Sequence, residues 1–175
     1  MTEHVLVATD GSDMSRKAVE MAARIAAAFG ARMTVLHVLL HGDRAEEASR
    51  LAEVEHLVRD VSKRVMPDFG NMPATMQDLL GQAHSSEETA RMVSALGDAI
   101  AEQAASRARE LGAPDVTIRV MPGDYAKSIL ETAEEVGADL IVMGSRGLGG
   151  LKGLLLGSVS NKVVQHASCS VIAVR

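Results

Sequence analysis

The hydrophobic pattern alternates between short apolar runs and longer segments with helical spacing. Residues 4–9 and 33–40 are apolar, rich in β-branched side chains and of strand length. Between them, an apolar residue recurs at three- or four-residue steps from Ala18 to Phe29, immediately before Gly30. This spacing predicts an amphipathic helix that ends at the glycine. This part of the chain therefore predicts a strand, a helix and a second strand.

The same alternation continues in the second half of the chain. Ser85 and Glu88 form a capping-box pattern, and the apolar face that follows predicts a helix up to Gly112. The remaining predicted elements are strands at 116–120, 139–143 and 170–174 and helices at 125–136 and about 157–166. Five strands that alternate with helices predict an α/β fold of Rossmann type, a doubly wound parallel sheet.

Residues 41–82 depart from this rhythm. A charged, helical-looking part from Ala45 to Val65 is followed by a mixture of proline, glycine and methionine. We interpret the segment as a partly helical insertion, whose role is open, in a single domain spanning residues 1–175.

Composition excludes several classes of protein. The net charge is −5, with two phenylalanines, one tyrosine and no tryptophan, which argues against nucleic-acid binding. No apolar run approaches the roughly 18–20 residues that cross a bilayer, and the first residues do not resemble a signal peptide. The one cysteine, Cys169, allows no intrachain disulfide and fits a reducing compartment. We therefore expect a cytoplasmic protein that has no membrane partner.

Two loops are candidates for chemistry, because open α/β sheets bind ligands beyond the carboxyl ends of their strands. Residues 9–12 (Thr-Asp-Gly-Ser) follow the first strand, and the glycine-rich residues 144–150 follow the fourth. A strand order of 3-2-1-4-5 would bring the two loops together across the switch point. The histidines are scattered without metal-ligand spacing, so a metal site made by protein ligands alone is not expected.

The second loop suits an anion. Its glycines allow backbone N–H groups to approach a ligand, and Gly157-Ser158 opens a helix whose amino end attracts phosphate. The alternative is a flexible connection in which Ser158 is an ordinary N-cap. Neither the P-loop pattern nor G-x-G-x-x-G is present, since Lys152 occupies the third glycine position of the latter.

The glycine spacing carries a family resemblance. Gly144, Gly147 and Gly157-Ser158 fit the pattern G-2x-G-9x-G-[ST], which is similar to that of the ATP-binding branch of the universal stress protein family. Residues 10–12, 36–38 and the last strand also resemble this family. The resemblance covers roughly residues 3–40 and 85–175.

The resemblance implies an adenine nucleotide site on both loops. Asp10 would contact the ribose or a Mg²⁺ ion, or else serve only as a helix-cap partner. The backbone of Val38 would meet the adenine, unless Val38 is simply a core residue. Arg146 would neutralise phosphate charge or lie on the solvated surface. The implied nucleotide-binding residues are Ala8, Thr9, Asp10, Val38, Met143, Gly144, Ser145, Arg146, Gly147, Gly157, Ser158, Val159 and Ser160.

The implied function is that of an ATP-binding sensor or regulator in the stress response, with ADP or AMP as alternative ligands and Mg²⁺ as a companion ion. The alternatives are a weak ATP hydrolase and an interaction module that needs no nucleotide. Binding rather than turnover is expected, because the sequence offers no dedicated base. The resemblance also implies a homodimer formed through the strand Ser170 to Val174 and an unidentified regulatory protein partner.

Overall fold

Nine elements follow one another in the computed structural model, which describes residues 2–39, 86–147 and 156–175. The predicted insertion at 41–82 and the capping residue Ser85 lie outside these ranges. The elements are β1 (His4–Ala8), α1 (Asp13–Phe29), β2 (Arg32–Leu39), α2 (Ser86–Glu110), β3 (Asp115–Pro122), α3 (Tyr125–Val136), β4 (Leu140–Gly144), α4 (Ser158–His166) and β5 (Ser170–Val174).

The five strands form one parallel sheet in the order β3-β2-β1-β4-β5. The predicted α/β class and the 3-2-1-4-5 order are therefore confirmed. The order reverses at β1, which has β2 on one side and β4 on the other. The carboxyl ends of β1 and β4 lie side by side at this switch point, where such sheets bind ligands.

Helices cover both faces of the sheet. On one face, α1 and α2 pack against strand residues that include Val5, Val7 and Val35. On the other, α3 and α4 pack against residues that include Leu6 and Ile141. Since both faces are buried, the central strands are almost continuously apolar, as the sequence indicated.

Local capping fixes where the helices begin and end. The Ser12 hydroxyl accepts from the Ser15 amide at 3.2 Å and caps α1, and Gly30 ends this helix with a φ of 65°. Asp124 caps α3 through the amide of Lys127 at 3.0 Å, and Gly137 ends it, also with a φ of 65°. A left-handed φ favours glycine, which explains the two helix stops.

Four of the five strands differ in extent from the sequence prediction: β1 ends one residue earlier, at Ala8, β2 begins one residue earlier, at Arg32, and β3 and β4 also differ. β3 is longer than predicted, because it pairs with β2 along the whole stretch from Arg32 to Leu39. β4 begins one residue later, at Leu140, because Asp139 binds the amino end of β1: its carboxylate accepts from the amides of Glu3 at 2.7 Å and His4 at 3.3 Å.

Candidate functional site

The loops after β1 and β4 meet in one cleft, as the strand order predicted. The closest approach joins Gly147 to the carboxylate of Asp10: a Cβ added to this glycine would collide with Asp10 Oδ2. Only a residue without a side chain lets the two loops come this close. One wall of the cleft is therefore acidic, and the other is a glycine-rich backbone.

The loop after β1 is held on several sides at Thr9. Its amide donates to the carbonyl of Leu36 at 2.9 Å, and its carbonyl accepts from the Nδ1 of His37 at 2.8 Å. Its hydroxyl lies 3.3 Å from the Gly11 amide and 3.1 Å from the Ser15 hydroxyl. These bonds attach the loop to β2 and to the first turn of α1.

A hydrogen bond to one of its two carboxylate oxygens orients Asp10. Its Oδ1 accepts from the amide of Ser12 at 3.1 Å, which forms a local Asx turn. Ser12 itself supplies the cap of α1. Asp10 thus supports the cap residue, and its other oxygen, Oδ2, lies on the Gly147 side of the cleft. This geometry is compatible with both roles considered for Asp10 from the sequence, contact with a ligand and support of the helix cap.

The backbone of Ser145 fastens the loop after β4. Its amide donates to Val174 at 2.6 Å, and its carbonyl accepts from the amide of Gly157 at 2.7 Å and from the hydroxyl of Ser160 at 2.7 Å. The Ser160 hydroxyl proton therefore joins α4 to the end of β4. The Ser145 hydroxyl is buried and has no hydrogen-bond partner within the described part of the chain.

The amino end of α4 presents backbone N–H groups to the cleft side of the loop. Gly157 is its N-cap and provides no side-chain cap, and the first intrahelical bond runs from Asn161 to the Gly157 carbonyl. The amides of Ser158, Val159 and Ser160 precede that bond and have no acceptor among the residues described. Free amides at the positive end of a helix form a suitable environment for phosphate.

The space available to a Cβ differs among the three glycines of the motif. A Cβ on Gly144 would lie 2.8 Å from the Arg146 carbonyl oxygen and 3.1 Å from the Met14 Cβ, and one on Gly147 would meet Asp10. Among the described residues, a Cβ on Gly157 would make only ordinary contacts, the nearest at 3.5 Å.

Gly157 also has an unremarkable backbone, with a φ of −76° and a ψ of 170°, which any residue adopts. Chain packing accounts for glycine at 144 and 147 but not at 157. The space that a Cβ would fill there is consistent with the close approach of a ligand to the backbone. The glycine at 157 and the amides beside it, which have no acceptor within the described ranges, are compatible with an anion at this helix end.

Val38 is a core residue, one of the two roles considered from the sequence, and its contact with adenine stays a prediction. Its side chain is buried in the core on the α3 and α4 face. Because the Leu36 carbonyl bonds to Thr9, the backbone groups of Val38, two residues further along β2, point to the same side. β1 ends in register with Leu36, so no β1 residue pairs with Val38.

The remaining predicted residues lie around the same cleft. Ala8 and Met143 are the neighbouring strand ends of β1 and β4 and are paired in register. Arg146 is half-buried, and its Cα is 3.6 Å from where a Cβ on Gly157 would be. Val159 packs partly against the core. The predicted site residues are thus brought together, whereas Lys152 lies outside the described residues.

His37 is a site residue that the sequence reasoning did not assign. The ring is buried, and this burial lowers the pKa of the imidazole, although the Thr9 carbonyl and the carboxylates of Asp10 and Asp98 oppose the shift. The available signal was a histidine in an otherwise apolar strand, directly before Val38. The neutral ring contributes a hydrogen bond to the loop that carries Asp10.

Residues 2–39, 86–147 and 156–175 lack the features of two other kinds of site. No group of three or more histidine, cysteine or acidic side chains is placed to hold a metal ion. No helix there is both long and apolar enough to cross a membrane.

The fold and the cleft define an α/β protein with a ligand site at the switch point of its sheet, and comparison with known proteins identifies the family. The universal stress protein family matches residues 1–175, and the chain belongs to this family. The universal stress protein YxiE of Bacillus subtilis is 35% identical over 179 residues, with 100% of both chains covered. A universal stress protein of Thermus aquaticus is 32% identical over 175 residues, again with 100% of both chains covered.

Solved structures agree with this assignment. A universal stress protein in complex with cAMP superposes with a TM-score of 0.63 and 30% identity, covering 99% of this chain and 97% of that one. The G-2x-G-9x-G-[ST] pattern is thus found in a chain whose family includes a nucleotide-bound structure.

Proposed function

We propose that this protein binds an adenine nucleotide, with ATP as the first candidate and ADP or AMP as alternatives, and acts as a nucleotide-dependent sensor in the stress response. The nucleotide would lie at the switch point, with its phosphates at the amino end of α4 and its adenine beside β2. Binding, rather than turnover, would be the function.

The observation that carries this proposal is the glycine at position 157. Neither its φ of −76° nor its described neighbours require glycine, since a Cβ would be 3.5 Å or more from the atoms of residues 2–39, 86–147 and 156–175. The amides of the next three residues need acceptors, and a phosphate supplies several acceptor oxygens at the positive end of the helix. A side chain at 157 would stand between these amides and the phosphate.

Two further groups support an adenine nucleotide rather than a simple anion. The backbone of Val38, beyond the end of β1, offers one donor and one acceptor, which would match the hydrogen-bonding edge of adenine. Asp10 Oδ2 on the opposite wall is placed to accept from a ribose hydroxyl or to hold Mg²⁺, which prefers oxygen ligands and neutralises phosphate charge. The structure in complex with cAMP provides a precedent for an adenine ligand in the family.

Calorimetric titration of the purified protein with ATP, ADP, AMP and cAMP, each with and without Mg²⁺, tests this proposal. We expect saturable binding of at least one adenine nucleotide with a Kd in the micromolar range. GTP is the matched control, because its purine edge reverses the donor and acceptor pattern, and it should bind more weakly. Absence of binding by every adenine nucleotide would refute the proposal and leave an interaction module.

Hydrolysis is measured in the same samples by the release of inorganic phosphate from ATP. A nucleotide sensor predicts that ATP remains intact over many binding lifetimes. Phosphate release that is lost in the Gly157→Asp variant would instead assign the protein as an ATP hydrolase.

We further propose that the chain is a single cytoplasmic domain and that two copies pair through the edge strand β5. β5 is an edge of the sheet, with Val171, Ile172 and Ala173 each partly exposed, and such edges favour pairing with another strand. Analytical ultracentrifugation should give twice the 18.5 kDa mass of one chain. A mass of one chain at micromolar concentration would refute the dimer. A nucleotide-dependent change in what the dimer binds would identify the regulatory partner.

A further inference from the structure

His37 lies near the carboxyl end of β2, beside the loop that follows β1. Its ring is on the α1 and α2 side of β2, and its Nδ1 is 2.8 Å from the Thr9 carbonyl oxygen. Thr9 is the residue directly before Asp10, and His37 is directly before Val38. One side-chain hydrogen bond thus connects the strand beside the proposed adenine with the loop beside the proposed ribose.

The chemistry of this contact fixes the tautomer of the ring. A carbonyl oxygen can only accept, so Nδ1 must carry the proton and donate it. Burial favours the neutral imidazole, which leaves Nε2 without a proton. The charged groups that act on the ring from neighbouring elements are the carboxylates of Asp10, in the loop after β1, and Asp98, in α2.

Helix α2 holds the ring in place through Gly97. A Cβ on this residue would lie 3.0 Å from the His37 Cδ2 and 2.5 Å from the Leu39 Cδ2. Glycine in the interior of a helix costs about 1 kcal/mol relative to alanine. At this position it lets the helix approach β2 closely enough to enclose the imidazole.

We propose that His37 is a positioning residue for the nucleotide site, which through its Nδ1–H and the Thr9 carbonyl fixes the loop that presents Asp10 to the ligand. This inference rests on the proposed nucleotide binding. The other bonds of Thr9 are made by its amide and hydroxyl, so within the described residues His37 is the side chain that holds its carbonyl. Without this bond the peptide between Thr9 and Asp10 is less constrained, and the loop presents the carboxylate less precisely even though the Ser12 amide still binds it.

The test compares His37→Asn with His37→Gln in calorimetric titrations with ATP and Mg²⁺. The asparagine amide nitrogen falls near the position of Nδ1 and can still donate to Thr9, whereas that of glutamine falls near Nε2 and cannot. We expect His37→Asn to bind ATP within about threefold of the unmodified protein and His37→Gln to bind about tenfold more weakly, which corresponds to about 1.4 kcal/mol. Equal affinities in the two variants would overturn the proposal.

His4→Asn controls for a general loss of stability, because the asparagine amide falls near Nδ1 and does not replace the Nε2 that contacts Thr34. His4 is the other buried histidine of the sheet and lies at the amino end of β1, far from the proposed site. Its Nε2 is 2.8 Å from the hydroxyl of Thr34 in β2. The variant should unfold more easily, yet its affinity for ATP should be unchanged. If it weakened ATP binding as much as His37→Gln does, the His37 effect would be structural and the proposal would fail.

The contact itself is measured without nucleotide. A long-range ¹H–¹⁵N NMR spectrum at pH 7.5 should show His37 with Nδ1 protonated and Nε2 unprotonated. The reverse tautomer would overturn the positioning role. Failure of the unmodified protein to bind any adenine nucleotide would refute the proposed function. The NMR result would still show independently whether His37 donates its Nδ1 proton to Thr9.

Discussion

Replacing Gly157 by aspartate separates the needs of the fold from those of the ligand. In the part of the chain that the structure describes, a Cβ at this position meets nothing closer than 3.5 Å, and the backbone conformation suits any residue. Gly157 is also the N-cap of α4, where aspartate is a favoured residue and a negative charge interacts well with the helix dipole. The free protein should therefore gain about 0.5 kcal/mol of stability, which raises the Tm by about 1–2 °C.

Nucleotide binding should respond in the opposite direction. A carboxylate about 4 Å from a phosphate charge costs about 4 kcal/mol at an effective dielectric constant of about 20. Solvent and Mg²⁺ reduce this penalty, but an increase in Kd of at least about a hundredfold, about 2.7 kcal/mol, should remain.

Thermal unfolding followed by circular dichroism and calorimetric titration with ATP measure the two effects in one preparation. Gly157→Ser is the matched control, because it also caps the helix and adds a Cβ but carries no charge; its affinity should fall between the other two. Wild-type affinity in the aspartate variant would show that no phosphate lies at this helix end. A marked loss of stability would show that the site of the Cβ is not open.

Three other perturbations test neighbouring parts of the account. Gly147→Ala should displace the Asp10 carboxylate from its bond to the Ser12 amide, costing about 1 kcal/mol in urea unfolding; unchanged stability would contradict the packing argument. Asp10→Asn retains an oxygen for the Ser12 amide but removes the negative charge. The gain in ATP affinity on adding Mg²⁺ should therefore fall about tenfold, while AMP binding without metal changes less. An unaltered effect of Mg²⁺ would exclude Asp10 as a ligand of the metal ion. In the folded state, burial lowers the pKa of both His4 and His37 below the ordinary value of 6.5. As the pH falls below about 6.5, the unfolded chain therefore takes up protons before the folded one, and the free energy of unfolding should decrease. Urea titrations between pH 7.5 and 5 should show this slope, and removing both histidines should flatten it.

Much of the fold was readable from the sequence because its signals are local. Gly30 and Gly137 adopt a φ of 65° and end their helices where the pattern predicted. The apolar runs of β1, β2 and β4 required cover on both faces, which a doubly wound parallel sheet provides. The 3-2-1-4-5 order was a hypothesis based on doubly wound sheets in general, since no strand carries its neighbours in its own pattern.

The errors arose where pairing between distant segments decides the outcome. β3 extends to Pro122 because β2 offers a partner along its full length, a fact that the residues of β3 do not encode. Proline is tolerated there because β3 is an edge strand.

The site was predicted as a set of residues, but their separate tasks depend on three-dimensional contacts. The spacing of the motif could not distinguish glycines required by close packing, at 144 and 147, from the one at 157. It also could not show that the Ser160 hydroxyl bonds to the Ser145 carbonyl rather than remaining free for a ligand. Nor did it single out His37, whose contact with Thr9 joins residues 28 positions apart.

The most direct test of the account is a ¹H–¹⁵N NMR titration of the protein with ATP and Mg²⁺. We predict the largest shifts at the amides of Ser158, Val159 and Ser160, with further shifts at Val38 and Gly147, because these groups surround the proposed nucleotide. Amides at the opposite end of the sheet, such as that of His4, should not move. Shifts confined to other surfaces, or no shifts at saturating nucleotide, would contradict binding at the switch point.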